Sequence, residues 1–218
     1  MTAEPERLAL SSRLRSTRII AVLRASSVEQ LYPACDVLVE EGILSLEFTL
    51  TTPGLLKALP AVVDRYTPAA DVGVGTVTTA TQTDEAIDYG VDYLVTPTVN
   101  EAVVTLAVRR GTAVFPGGLT PSELSAGWQA GATAVKIFPA QTVGAGYLKH
   151  LRGPFPELVV VPSGGIDLEG ARTWLEAGAA AVSMGGPLLG DALNGGDLNA
   201  LRQRCRAVRT VVRDWAKP

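Results

Sequence analysis

Gln129-Ala130-Gly131-Ala132-Thr133-Ala134-Val135-Lys136-Ile137-Phe138-Pro139 holds one structural unit in eleven residues: the end of a helical run, a glycine, then a short apolar run closed by proline. The glycine reads as a left-handed helix stop, and residues 134–138 as a buried strand. The same unit recurs outward in both directions. Gly42 follows Glu40-Glu41, Gly90 follows Asp88-Tyr89, Gly111 follows Arg109-Arg110, and Gly178 follows Glu176-Ala177. Short β-branched runs stand near 18–24, 43–50, 71–77, 93–98, 113–117, 134–138, 158–163 and 180–184, starting every 20 to 28 residues, with Ala-, Leu-, Glu- and Arg-rich stretches between them. Thr120-Pro121-Ser122-Glu123 and Asp167-Leu168-Glu169 mark helix starts, where an oxygen caps the first turn and an early acid complements the helix dipole. Eight near-equal helix, glycine and strand units predict an α/β chain folded as a closed eight-stranded β/α barrel. An open doubly wound sheet rarely supplies eight such units, and no GxGxxG follows the first strand. The expectation is a single barrel domain over 1–218, with a helical extension over 1–17 and a final helix over 198–216.

The chain has 218 residues, with 19 Lys and Arg against 22 Asp and Glu, a net charge of −3 that argues against electrostatic capture of nucleic acid. Hydrophobic residues at 47% and charged residues at 19% fit a well-buried core rather than a disordered chain. Cys35 and Cys205 lie far apart without paired-ligand spacing, so neither a disulfide framework nor a zinc site is expected, and the thiols fit a reducing cytoplasm. Residues 1–18 lack the apolar run and small-residue cleavage site that export needs, and no stretch approaches a membrane span. Arg202, Arg204, Arg206, Arg209 and Arg213 line the last helix, which on an acidic chain reads as a solvated face.

Period-two geometry in the quoted strand puts Val135 and Ile137 toward the helices and Ala134, Lys136 and Phe138 toward the barrel interior. A desolvated ammonium is costly there unless it loses its charge or finds a partner. Lys57, Lys149 and Lys217, the other three lysines, fall in helical or terminal segments. A buried lysine is a nucleophile toward carbonyls, and the resulting iminium is an electron sink for making or breaking an adjacent carbon–carbon bond without a metal. Snorkelling or ion pairing is the alternative reading. In the second strand Leu44, Leu46, Phe48 and Leu50 take the helix side, so Ser45, Glu47, Thr49 and Thr51 face inward. Glu47 can pair with Lys136 or shuttle protons for it. Because buried ion pairs contribute little to stability, proton transfer is the better account.

Around the same mouth, Gly73-Val74-Gly75-Thr76-Val77 allows close backbone approach and offers the Thr76 hydroxyl. Arg24 ends the first strand, where it can grip a carboxylate or simply meet solvent. Ser163-Gly164-Gly165 and Gly185-Gly186 follow the seventh and eighth strands, where barrels of this kind cradle phosphate on backbone amides, although a Gly-Gly pair also serves as a tight turn. His150, the only histidine, sits among basic helical neighbours, which excludes a histidine triad or a multi-histidine metal site.

LEFTL around Glu47, GVGTV around Thr76, VTP at Pro97, FPGG at Phe115, VKIFPA around Lys136 and PSGGI around Gly164 occur in this order. Together they resemble the bacterial aldolases for 2-dehydro-3-deoxy-6-phosphogluconate and its galactonate counterpart, with the related 4-hydroxy-2-oxoglutarate aldolase activity. The resemblance covers roughly 18–189. It implies a class I aldolase, a cytoplasmic homotrimer of β/α barrels, that cleaves a phosphorylated keto-acid to pyruvate and glyceraldehyde 3-phosphate with no cofactor. It further implies Lys136 as the Schiff-base lysine and Glu47 as the general acid/base. Thr76 and Phe138 would line the pyruvate site, Pro97 its wall, and Ser163, Gly164, Gly165, Gly185 and Gly186 the distal hydroxyl and phosphate end.

Two positions depart from the family pattern. Thr51 stands where gluconate-type members usually carry an arginine that helps to hold the pyruvate carboxylate; galactonate-type members also lack that arginine, and Arg24 is the substitute at hand. Pro187 stands where a serine usually meets phosphate, and it has neither hydroxyl nor amide hydrogen. An unphosphorylated 2-keto-3-deoxy acid or 4-hydroxy-2-oxoglutarate is therefore an alternative substrate. From other classes, a sugar-phosphate isomerase with Glu47 as base, or a non-catalytic phosphate-binding barrel, use the same glycine cradle.

Overall fold

A computed structural model describes residues 7–215. All strand pairing is parallel. β1 (Ile19–Leu23) lies between β2 (Ser45–Thr49) and β9 (Val182–Met184), and β2 continues through β3 (Asp71–Gly75) and β4 (Tyr93–Val95) to β5 (Ala113–Phe115). A second run joins β6 (Gly117–Gly118), β7 (Val135–Ile137) and β8 (Val160–Pro162). β5 and β6 are two pieces of one barrel strand, parted at Pro116, which has no N–H to give the ladder. Thr133 N donates to Val114 O and Lys136 N to Pro116 O, carrying the pairing across that break. On the far side, a bridge between Ser163 and Ser183 and the bond from Ala180 N to Val160 O join β8 to β9. The ring therefore closes with eight strands in nine pieces, as the eight sequence units require. The one difference is the expected uninterrupted run over 113–117.

Helices cover the outside: α2 (Leu31–Glu40), α3 (Leu55–Tyr66), α4 (Ala80–Asp88), α5 (Glu101–Arg109), α6 (Pro121–Gln129), α7 (Gly146–Leu151), α8 (Leu168–Glu176), the single turn α9 (Gly186–Leu189) and α10 (Leu198–Trp215). Thr120 and Asp167 cap α6 and α8 where the sequence placed the starts, with Glu123 closing a capping box on Thr120. Gly42, Gly90, Gly111, Gly131 and Gly178 all take positive φ, between 68° and 98°, so the helix stops also stand where expected.

Two apolar layers result. Leu46, Phe48, Val135 and Ile137 belong to the large layer between strands and helices. Ile20, Tyr93, Val95, Phe115, Ala134, Val161 and Ala181 form a smaller one inside the barrel. Leu10 and Leu14 join the inner layer from the N-terminal segment, stopping the end where the strands begin. Of the helical extension expected over 1–17, only Ser12–Thr17 is helical (α1), and residues 7–11 are irregular; residues 1–6 lie outside the described residues, as does residue 216 of the expected final helix.

The α10 arginines do more than meet solvent. Arg202 and Arg206 pair with Glu40 and Glu41 at 2.6 and 2.7 Å, while Arg204 and Arg209 donate to backbone carbonyls of Leu188, Leu189 and Glu41. The other face of α10 buries Leu201, Cys205, Val208 and Val212 against the barrel's helices.

Candidate active site

Lys136 projects from the middle of β7 into the barrel. It is 8% exposed, with Nζ 4.9 Å from the Phe138 ring centroid. Among the described residues no carboxylate lies within ion-pair distance of it. The pairing with Glu47 that the sequence allowed is thus not formed, and the amine is left with an aromatic face beside it.

Glu47 points inward from the middle of β2, 2% exposed, and one of its oxygens accepts a long hydrogen bond of 3.4 Å from Ser183 Oγ. Its place depends on a missing side chain. A Cβ on Gly75 would stand 2.1 Å from Glu47 Oε1, so the glycine in GVGTV is the floor on which the carboxylate lies. Gly73 serves Tyr93 in the same way, because its Cβ would fall 2.2 Å from the phenol ring. Lower in the barrel, Asp71 accepts from Ser11 and, at 3.2 Å, from Ser45, and pairs with Arg13 at 3.5 Å.

The remaining candidates gather at the ends of the strands nearest these two groups. Thr76 follows β3 with φ of 63°, a left-handed conformation that a β-branched residue rarely takes outside constrained sites. Pro97 follows β4, and its carbonyl closes on Gly117, where a Cβ would come within 2.6 Å. Phe138 leaves β7 at 39% exposure and lies over Gly164, 3.2 Å from where a Cβ would stand. Ser163 is buried in the bridge to Ser183. Gly164 and Gly165 take φ of 95° and 75°, and Gly165 is covered by the Gln141 carboxamide. Gly185 and Gly186 open onto space, with nothing within 3.8 Å of a Cβ on the first and nothing within 4 Å on the second.

Thr51 is exposed at the mouth, its hydroxyl 3.1 Å from Thr49 Oγ1, rather than enclosed with Glu47. Arg24 is exposed and, among the described residues, has no hydrogen-bond or ion-pair partner. Neither touches Lys136. His150 is exposed on α7, as its neighbours suggested. A cavity of about 810 Å³ lies between α1 and α10, lined by Thr17, Gly42, Arg209 and Arg213, and none of the candidate residues borders it.

Sequence reasoning missed Ser183, Tyr93 and Gln141. The alternation Val182-Ser183-Met184 places Ser183 inward, but nothing in the strand pattern marks its partner as Glu47. Tyr93 alternates inward in the same way. Gln141 belongs to an irregular segment where no period applies.

The family model for KDPG and KHG aldolase matches residues 10–204. The 2-dehydro-3-deoxy-6-phosphogalactonate aldolase of Escherichia coli strain K12 is 33% identical over 171 residues, covering 78% of this chain and 83% of the relative. Among solved structures, one described as native KDPGal superposes with a TM-score of 0.87 at 29% identity, over 95% of this chain and 98% of the other. The KDPG aldolase of Legionella pneumophila, captured with pyruvate as a covalent carbinolamine intermediate, superposes with a TM-score of 0.80 at 27% identity, over 90% and 96%.

Proposed function

The chain belongs to the KDPG and KHG aldolase family, and on that premise we propose that it is a class I aldolase cleaving a 2-keto-3-deoxy-6-phospho sugar acid, of the gluconate or galactonate type, to pyruvate and glyceraldehyde 3-phosphate. The observation that carries the reading is one lysine and one glutamate buried inside the same barrel and not paired with each other. Lys136 Nζ adds to the C2 ketone, and loss of water from the carbinolamine gives an iminium. The C4 hydroxyl gives up its proton, the C3–C4 bond breaks, and its electron pair moves into the iminium as an enamine. Protonation at C3 and hydrolysis then release pyruvate and the free lysine. Glu47, free on Oε1 and lightly held on Oε2, carries the protons between these stages.

Thr76, Phe138 and Pro97 line the pyruvate end in this reading. Arg24 and Thr51, both at the exposed mouth, receive the carboxylate when substrate enters. Ser163, Gly164, Gly165, Gly185 and Gly186 meet the distal end. The resemblance also supports a homotrimer of single-domain barrels over 1–218 acting in the cytoplasm without metal or organic cofactor. Among the described residues no helix is long and apolar enough to cross a membrane.

Pro187, exposed in the single turn of α9, favours a second reading of the substrate, an unphosphorylated keto-acid or 4-hydroxy-2-oxoglutarate. Assaying pyruvate release from the two epimeric phospho-acids, their unphosphorylated forms and 4-hydroxy-2-oxoglutarate tests both. Preference of at least tenfold in kcat/KM for a phosphorylated acid supports the first reading. Equal rates with and without phosphate favour the second, and no pyruvate from any of them contradicts the aldolase.

A further inference from the structure

Tyr93 carries the one buried side-chain polar atom without a hydrogen-bond partner among the described residues. Leaving a buried hydroxyl unsatisfied is destabilising, and phenylalanine would fill the same space without that cost. The surroundings hold the ring in one place. It stacks on Phe115, with centroids 5.3 Å apart, and lies over Gly73, where a Cβ would come within 2.2 Å.

Glu47, Gly73 and Tyr93 are register partners on three adjacent strands, so the glycine separates a carboxylate on one side from a phenol on the other. The phenol ring lies on Gly73 and the carboxylate on Gly75, one side-chain step apart on the same face of β3, a separation suited to a water-bridged rather than a direct hydrogen bond.

Three carboxylates face this phenol from the elements around it. Asp71 of β3 is already taken by Ser11, Ser45 and Arg13. Asp92, just before β4, accepts from Val72 N at 2.7 Å. Glu47 of β2 has, among the described residues, only the long bond from Ser183 of β9, which leaves it the carboxylate with acceptor capacity to spare. Burial holds the phenol well above its usual range, and Glu47 acts on it more strongly than Asp71 or Asp92. At neutral pH Tyr93 therefore keeps its proton and is a hydrogen-bond donor.

We propose that Tyr93 is a positioning residue for Glu47: its hydroxyl donates to one ordered water, which donates in turn to the carboxylate and holds it oriented for proton transfer. This rests on the aldolase reading, in which Glu47 moves the protons. Without the hydroxyl the carboxylate loses one anchor, so proton transfer slows while substrate binding is spared.

The test is Tyr93→Phe, with kcat and KM measured separately beside the wild type. kcat is expected to fall roughly tenfold, with KM within about twofold and pyruvate still trapped on Lys136. A kcat equal to that of the wild type would overturn the inference while leaving the aldolase intact. A wild type that neither cleaves keto-acids nor takes pyruvate would remove both together. Should the variant not fold, a wild-type crystal structure resolving waters decides instead: a water within hydrogen-bond reach of both Tyr93 Oη and Glu47 is expected, and its absence overturns the proposal.

Discussion

Gly73 and Gly75 sit two residues apart on one face of β3, yet their substitution has opposite expected consequences. In Gly75→Ala the new methyl meets the free end of the Glu47 side chain, which can swing away and so spare the fold while misplacing the carboxylate. Displacement of a catalytic group by about 1 Å costs on the order of a hundredfold, so kcat should fall by that much while the urea midpoint hardly moves. In Gly73→Ala the methyl meets a ring locked against Phe115, and the expected loss is stability, about 1–3 kcal/mol in urea denaturation. Equal kcat for Gly75→Ala and wild type would mean that Glu47 does not carry the protons. At this scale the period of two was enough to place Lys136 and Glu47 inside, because strand alternation is local. It was silent on Tyr93 and Ser183, whose roles come from partners on other strands. For Thr51 the alternation had already ended, since β2 stops at Thr49 and Thr51 stands exposed just past it, its hydroxyl 3.1 Å from that of Thr49.

The helix caps show a similar division between local and distant information. Thr120 and Glu123 exchange hydrogen bonds with each other's backbone N–H groups at 3.3 and 2.8 Å, and the same motif recurs at Thr79 and Gln82 on α4. A capping box is written within four residues and is legible without the fold. Because α6 leads directly into β7, Thr120→Ala is expected to cost about 1 kcal/mol in thermal or urea unfolding without changing KM. A large rise in KM would show that the cap also sets the position of Lys136. The break at Pro116 was less visible, because FPGG reads equally as a strand end. Only the pairing from Thr133 and Lys136 on β7 reveals that the strand resumes. The arginine row of α10 likewise became intelligible only when Glu40, Glu41 and two carbonyls of α9 were seen against it.

The whole barrel has one end stopped by Leu10 and Leu14 and the other lined by polar groups, so reagents reach Lys136 from one side. Four acidic protons are locked into this body. Burial pushes the Cys205 thiol up to about 11, raises Cys35 further, and holds the Tyr66 and Tyr93 phenols above their usual range. For each group the folded form keeps its proton at a pH where the unfolded chain has lost it. The stability they contribute is complete below the ordinary thiol range and is lost as pH rises through the folded values. Melting temperatures should therefore hold near neutrality and fall steadily above about pH 9, and Cys205→Ala should reduce that slope. A melting temperature constant from pH 7 to 11 would contradict this account of the core. The count of eight units made the closed barrel legible from sequence. The plug was not, because an irregular segment ending in Leu10 and a six-residue helix carrying Leu14 look like any amphipathic turn until the open barrel end is in place.

The most direct test of the account is borohydride reduction of the wild-type protein with pyruvate, followed by intact mass and peptide mapping. One reduced pyruvate adduct per chain, mapped to Lys136 and lost in Lys136→Ala, is the predicted result. Folded protein with no adduct, or an adduct on Lys57, Lys149 or Lys217 instead, would contradict it.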